Sequence, residues 1–310
     1  MTVGGSEAEA ISKVAETYNR TGARDLAERL RAPFVMQGPL GSLLMSEPGG
    51  EGIPAAAWNV SEPQTVTRLH DLYRAAGADV LITNTFQASG PALKRDRISQ
   101  SVAAVNRAAV DCARAAHGEL VLGSMGPCGL EWTLEGTPEY RAARAAYREQ
   151  AAALLAAGAD GLLLETFTSI RDLDPALAGA LDAADGMPVL VSFAIDDKGD
   201  LAGDHLNIEA AVMHAAKGGA ASVGVNCCSI AAATAAVSRM RRATDLPLTV
   251  RPSAGLPHRD PDGAVAWDED VEDIARAGAA WIGGGAAGIG GCCGTTPRTT
   301  CALADLLAGA

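Results

Sequence analysis

The stretch ALLAAGADGLLLETF, Ala153–Phe167, contains a complete helix-to-strand crossing. Upstream, the Ala-rich segment Glu139–Ala157 has the periodicity of an amphipathic helix. Downstream, Gly161–Glu165 is a short apolar run of the kind found in parallel strands buried on both faces. Between them, Ala157-Gly158-Ala159 makes an economical turn, because glycine accepts the left-handed conformation that ends a helix. The same punctuation recurs at Ala76-Gly77-Ala78 and Gly219-Ala220, each just ahead of another apolar run.

Working outward from this unit, the remaining strand candidates are Pro33–Gln37, Asp79–Thr83, Leu120–Ser124, Val189–Ala194, Ser222–Asn226, Leu248–Arg251 and Ala287–Gly290. Helical patterns alternate with them at Gln64–Ala76, Ile98–His117, Leu173–Ala184, Ile208–Lys217, Ile230–Ala243 and Glu269–Ile282. A βα unit repeated eight times points to a (β/α)8 TIM barrel. A doubly wound open sheet shares this pattern, and strand order cannot be read from sequence. Residues 1–32 read as a helical extension, with a helix over Glu7–Leu30 covering one end of the barrel, and residues 33–310 as a single barrel domain. Gly41–Asn59 reads as a long Gly/Pro-rich loop at the catalytic end.

Composition narrows the function. Of 310 residues, 48% are hydrophobic and only 4% aromatic, so the core is built from small and aliphatic side chains. The net charge of −12, with no basic run to break it, disfavours nucleic acid as a partner. No apolar run is long enough for a transmembrane helix, and the first residues lack the pattern of a signal peptide, so neither membrane nor export is expected. Seven cysteines, an odd number, fit reduced thiols in the cytoplasm.

The cysteines also locate the chemistry. Strand six ends in Asn226-Cys227-Cys228, and strand eight in Gly290-Gly291-Cys292-Cys293-Gly294. In a closed barrel these are alternate strands, so their C-terminal ends can converge at the catalytic mouth. Cys227, Cys292 and Cys293 then form a three-thiolate set with a fourth position open, the arrangement of catalytic zinc. Both Cys292 and Cys293 can reach one metal only if the backbone turns, which the flanking glycines permit. Cys228 should point away from Cys227, and Cys112, Cys128 and Cys301 read as small apolar residues. Other strand ends bring Gln37, Gly38, Asn84 and Glu165 to the same mouth.

GVNC at Gly224–Cys227 together with GGCCGTTP at Gly290–Pro297 resembles the paired zinc signatures of the homocysteine S-methyltransferase family. Further resemblance runs through AGADVLITNTF at Ala76–Phe86, GADGLLLETF at Gly158–Phe167 and PSAGLP at Pro252–Pro257, covering roughly residues 33–308. The resemblance implies Zn2+ held by Cys227, Cys292 and Cys293, with a small-molecule thiol acceptor in the open position. It implies that Glu165 meets the amino group of homocysteine, with Gln37, Gly38 and Asn84 as further substrate contacts. By length the chain is most similar to members that use a sulfonium donor, S-methylmethionine or S-adenosylmethionine, to make methionine. Trp58 and Trp132 are candidates for a cation–π face toward such a donor.

Two positions depart from the family pattern: Gln37 stands where Asp is usual, and Ser253 where Asn is usual. They keep other readings open. One is the same zinc-thiolate chemistry on a different thiol, or with a corrinoid protein partner as methyl donor. Another is a non-catalytic zinc- or thiol-binding barrel.

Overall fold

The computed structural model describes residues 22, 24–50, 52–132, 134–255, 258–259, 265–268 and 270–309. Its central sheet has eight parallel strands: β1 Phe34–Val35, β2 Val80–Ile82, β3 Leu120–Met125, β4 Gly161–Phe167, β5 Val189–Phe193, β6 Ser222–Asn226, β7 Leu248–Arg251 and β8 Ala286–Ile289. The sheet runs β1-β8-β7-β6-β5-β4-β3-β2. A parallel bridge between Met36 and Val80, with the Gln37 amide donating to the Val80 carbonyl at 2.9 Å, joins its two edges. The architecture is therefore the (β/α)8 barrel, and the open sheet is excluded.

Each strand is followed by helix. Pro138–Ala156, Ile208–Lys217 and Ile230–Ala243 fall within a residue of the ranges read from sequence, and Ile170–Ala184 begins three residues earlier than expected. The turns at Gly77, Gly158 and Gly219 have φ of 93°, 99° and 101°, the left-handed conformation anticipated there. Ser101, Thr137, Ser169, Asn207, Ser229 and Asp270 cap their helices through side-chain oxygens that accept backbone N–H bonds.

The barrel interior is filled by Phe34, Met36, Val80, Ile82, Leu122, Leu163 and Leu190. Leu26 and Leu30 pack into this same cluster. They come from residues 24–30, helical over 24–29, and close the barrel at the end opposite the strand C-termini. The rest of the helix expected at Glu7–Leu30 lies, apart from residue 22, outside the described residues. Outside the barrel, small residues set helix spacing: a Cβ on Gly179 would stand 2.4 Å from the Arg144 carbonyl, so the helices Pro138–Ala156 and Ile170–Ala184 meet nearly backbone to backbone.

One expectation is corrected. Gly41–Asn59 is not a plain loop but contains the helix Gly41–Met45 and most of the helix Ala55–Ser61. The reason is burial: Leu40, Leu44 and Trp58 pack with Val66, Leu69 and Tyr73 of the helix Pro63–Ala75. Leu40, Leu44 and Trp58, three apolar anchors among glycines and prolines, fold the segment over the mouth.

Candidate active site

At the strand C-termini lies a cavity of about 380 Å³. Its walls include Gln37, Gly38, Asn84, Phe86, Ser124, Glu165, Thr166, Arg251 and the three cysteines 227, 292 and 293. The Cys227 sulfur is 2.7 Å from that of Cys292 and 3.7 Å from that of Cys293, and all three lie within 4.8 Å of one another.

Backbone geometry produces this convergence. Cys227 directly follows β6 and has φ of 51°, a left-handed turn that a non-glycine residue adopts only when its surroundings enforce it. The loop after β7 then stitches the two cysteine segments together. Ser253 N–H donates to the Cys228 carbonyl, Ala254 N–H to that of Cys293, and Cys292 N–H to that of Pro252, at 2.9, 2.9 and 2.8 Å. Gly291 is required because a Cβ there would meet the Thr295 hydroxyl at 2.1 Å. That hydroxyl donates to the Cys292 carbonyl at 2.9 Å and fixes the turn.

A second left-handed residue, Thr166, marks a bulge in β4, where the register with β5 shifts between Leu164 and Phe167. Asn226 clamps this bulge. Its carbonyl oxygen accepts from Thr166 N–H at 3.0 Å, and its amide donates to the Thr166 hydroxyl at 2.8 Å. The same amide lies 3.6 Å from the Cys292 sulfur, so one side chain ties β4 to the thiol cluster.

The three thiols titrate together. Hydrogen bonds from Cys227, then Cys293, hold Cys292 well below the ordinary thiol range, and the Arg251 charge adds to this against the effect of burial. Cys227 is pushed up strongly, first by its bond to Cys292, then by Cys293 and burial. For Cys293 the Cys227 bond acts downward, but Cys292 and burial outweigh it and push the thiol up to about 12. The directions favour a proton on Cys227 and Cys293 and the thiolate form of Cys292. Cys228 is buried outside the cluster, and burial pushes it up to about 12.

The set suits a thiophilic metal. Tetrahedral coordination with metal–sulfur bonds of about 2.3 Å puts sulfurs about 3.8 Å apart. The Cys227–Cys293 separation of 3.7 Å already matches, whereas Cys227 and Cys292 would have to part by roughly 1 Å. Among the described residues this is the one group of three metal-ligating side chains brought together.

Glu165 has a partner that sequence reading missed. Arg251, the last residue of β7, donates from Nη1 to Glu165 Oε2 at 2.8 Å, while the Ser124 hydroxyl donates to Oε1. Both members of the ion pair are buried, at 6% exposure for Glu165 and 3% for Arg251. The signal was present: an arginine ending an otherwise apolar strand at the catalytic face of a barrel.

Gln37 and Asn84 reach the cavity wall with their amides already engaged. Gln37 donates to the Ile82 carbonyl at 3.2 Å and accepts from His70 Nδ1 at 2.8 Å. Burial lowers the His70 pKa to about 3, so the ring is neutral, and a neutral amide is its natural partner. Asn84 donates to the Ala55 carbonyl at 2.6 Å and to Asn59 at 3.1 Å, which holds the helix Ala55–Ser61 in place. Gly38 gives room to Tyr73, whose ring a Cβ would meet at 2.8 Å. Neither tryptophan faces the cavity. Trp58 belongs to the core, and Arg171 lies over the Trp132 ring at 5.5 Å. The aromatic side chain on the cavity wall is Phe86.

Fold and site together define a (β/α)8 barrel with a metal-type thiol cluster at its mouth. The family model described as homocysteine S-methyltransferase matches residues 25–307, and the chain belongs to that family. It is 32% identical over 268 residues to the homocysteine S-methyltransferase of Escherichia coli K12, covering 79% of this chain and 84% of that protein. It is equally identical, over 254 residues, to methionine synthases of Mycobacterium leprae and Mycobacterium tuberculosis. That match covers 77% of this chain but spans only 21% of those synthases. Among solved structures, the metallated form of the E. coli homocysteine methyltransferase MmuM superposes with a TM-score of 0.74 at 26% identity, covering 92% of this chain and 99% of that one. The carboxyl transferase domain of Rhizobium etli pyruvate carboxylase, at 12% identity and a TM-score of 0.52, shares the fold alone.

Proposed function

We propose that this chain is a zinc-dependent thiol S-methyltransferase that moves a methyl group from a sulfonium donor, S-methylmethionine or S-adenosylmethionine, to homocysteine, yielding methionine. The observation that carries the reading is the convergence of Cys227, Cys292 and Cys293 beside a cavity sized for small molecules. The similarity to a bacterial homocysteine S-methyltransferase supports the acceptor.

Cys227, Cys292 and Cys293 would hold zinc, with the fourth position left to the acceptor sulfur. Bound there, the metal supplies Lewis acidity that keeps a thiol ionised at neutral pH, and the thiolate is the nucleophile. The acceptor sulfur attacks the methyl carbon. The carbon–sulfur bond of the donor breaks with its electron pair left on the donor sulfur, which becomes a neutral thioether, and the acceptor's thiol proton goes to solvent. The chain positions the partners: Asn226 and the loop Pro252–Ala254 hold the cysteines, and Phe86 offers an aromatic face toward a sulfonium.

Methionine formation by the zinc-loaded protein from homocysteine and each sulfonium tests the reading. Product with either donor supports it. Zinc-loaded protein that yields product from neither, but does so with a methylated corrinoid protein, would replace the sulfonium donor.

Zinc uptake should also release about two protons per chain between pH 6 and 8, because Cys227 and Cys293 hold theirs in the metal-free cluster. Zinc affinity should then rise about a hundredfold per pH unit. Calorimetry in buffers of different ionisation enthalpy counts these protons, and a release near zero would mean that the thiols are already ionised.

A further inference from the structure

We infer that Thr166 and Asn226 are positioning residues for the metal: together they form a hydrogen-bond relay that brings one donor to the Cys227 sulfur and one to the Cys292 sulfur. The inference rests on the zinc-thiolate reading and goes beyond it by assigning the groups that hold two of the three sulfurs as ligands.

The direction of the relay follows from its fixed end. Thr166 N–H can only donate, so the Asn226 atom that meets it at 3.0 Å is the carbonyl oxygen. The amide nitrogen then has two hydrogens to place. One points to the Cys292 sulfur at 3.6 Å. The other goes to the Thr166 hydroxyl oxygen at 2.8 Å. Having accepted there, the hydroxyl donates its own hydrogen onward, and the Cys227 sulfur stands 3.9 Å away. Asn226 is fully buried, so solvent does not compete for these hydrogens. Hydrogen bonds in series polarise one another. Both arms therefore end with a donor hydrogen on sulfur, where three thiolates must crowd around one cation.

The backbone is bent to make this possible. A regular strand sends successive side chains to opposite faces, yet Glu165 and Thr166 both line the cavity. The left-handed turn at Thr166, with φ of 65° at the bulge in β4, brings the second of them to the mouth. For a β-branched residue that conformation is a strained outlier, and glycine would adopt it freely. What threonine has and glycine lacks is the hydroxyl that completes the arm to Cys227. Cys227 is itself left-handed, so Asn226 joins two strained residues, one on β4 and one just after β6.

Zinc affinity, measured by competition with a chromogenic chelator without acceptor or methyl donor, tests the relay. The sulfur-to-metal charge-transfer band of the cobalt-substituted protein is a second readout, one that a purely structural role would not move. Thr166→Val keeps the branched shape but not the hydroxyl, and should bind zinc at least about tenfold more weakly. Its cobalt band should shift to lower energy, because a thiolate that loses a hydrogen bond gives up electron density more readily. Thr166→Ser keeps the hydroxyl and should match the wild type in both readouts. Thr166→Ala, which adds no bulk, should behave as Thr166→Val does and takes its place if the valine variant does not fold. Wild-type affinity in the variants without the hydroxyl would overturn the relay and leave the zinc-thiolate reading intact. An equal loss in Thr166→Ser would do the same, since shape rather than the hydroxyl would then matter. Wild-type protein that takes up no zinc would overturn the zinc-thiolate reading, and this inference with it.

Discussion

Replacing Cys293 by serine should weaken zinc binding by at least about a hundredfold and abolish methyl transfer with it, since even outer-sphere changes at metal sites cost 10–100-fold. Cys293 is the informative position because it is the exposed member of the cluster, so its sulfur can be exchanged without a cavity opening in the core. The thermal midpoint of the metal-free protein should barely move. Cys301→Ser is the matched control: Cys301 is also exposed, but it sits on the helix Pro297–Ala308, outside the cluster. Metal content after dialysis against a weak chelator reads the difference. Equal retention of zinc by both variants would remove Cys293 from the site.

The second large effect concerns stability. Arg251→Met leaves the Glu165 carboxylate buried and opposed only by the Ser124 hydroxyl. Breaking one side of a buried ion pair typically destabilises by about 3–5 kcal/mol, because the remaining charge is stranded. Removing both partners is far milder, since two apolar side chains pack where two ions had to be desolvated. Urea midpoints should therefore fall sharply for Arg251→Met and recover most of the way in Arg251→Met/Glu165→Leu. Additive losses in the double variant would mean that the residues do not act as a pair.

Much of this molecule can be read before folding it. The segment Ala153–Phe167 encodes its own turn, because Gly158 alone accepts the required φ and the apolar run beyond it suits only a strand covered on both faces. Seven further repeats of that grammar point to a parallel α/β fold, and the Met36–Val80 bridge that closes it into a barrel is visible only in the structure. The cysteine pairs are local motifs at strand ends, and parallel topology converts two distant ends into neighbours. What sequence does not carry is pairing across the barrel. Glu165 and Arg251 are 86 positions apart on β4 and β7, and only the closed geometry shows that one neutralises the other. Gln37 follows the same logic. As a letter it departs from the family pattern at a position the resemblance assigns to substrate; in the structure it is the partner of a buried neutral His70, which lies on a helix no motif marks. The helices within Gly41–Asn59 were hidden because their glycines and prolines speak locally for a loop, while the burial of Leu44 and Trp58 that folds them is tertiary.

That three cysteines hold zinc, with a fourth position open to the acceptor sulfur, is tested most directly by X-ray absorption at the zinc edge, before and after homocysteine is added. The expected result is three sulfur neighbours and one lighter atom in the free protein, becoming four sulfurs in the complex, at about 2.3 Å. A protein that takes up no zinc, or whose zinc keeps the same neighbours when the thiol is added, would contradict it.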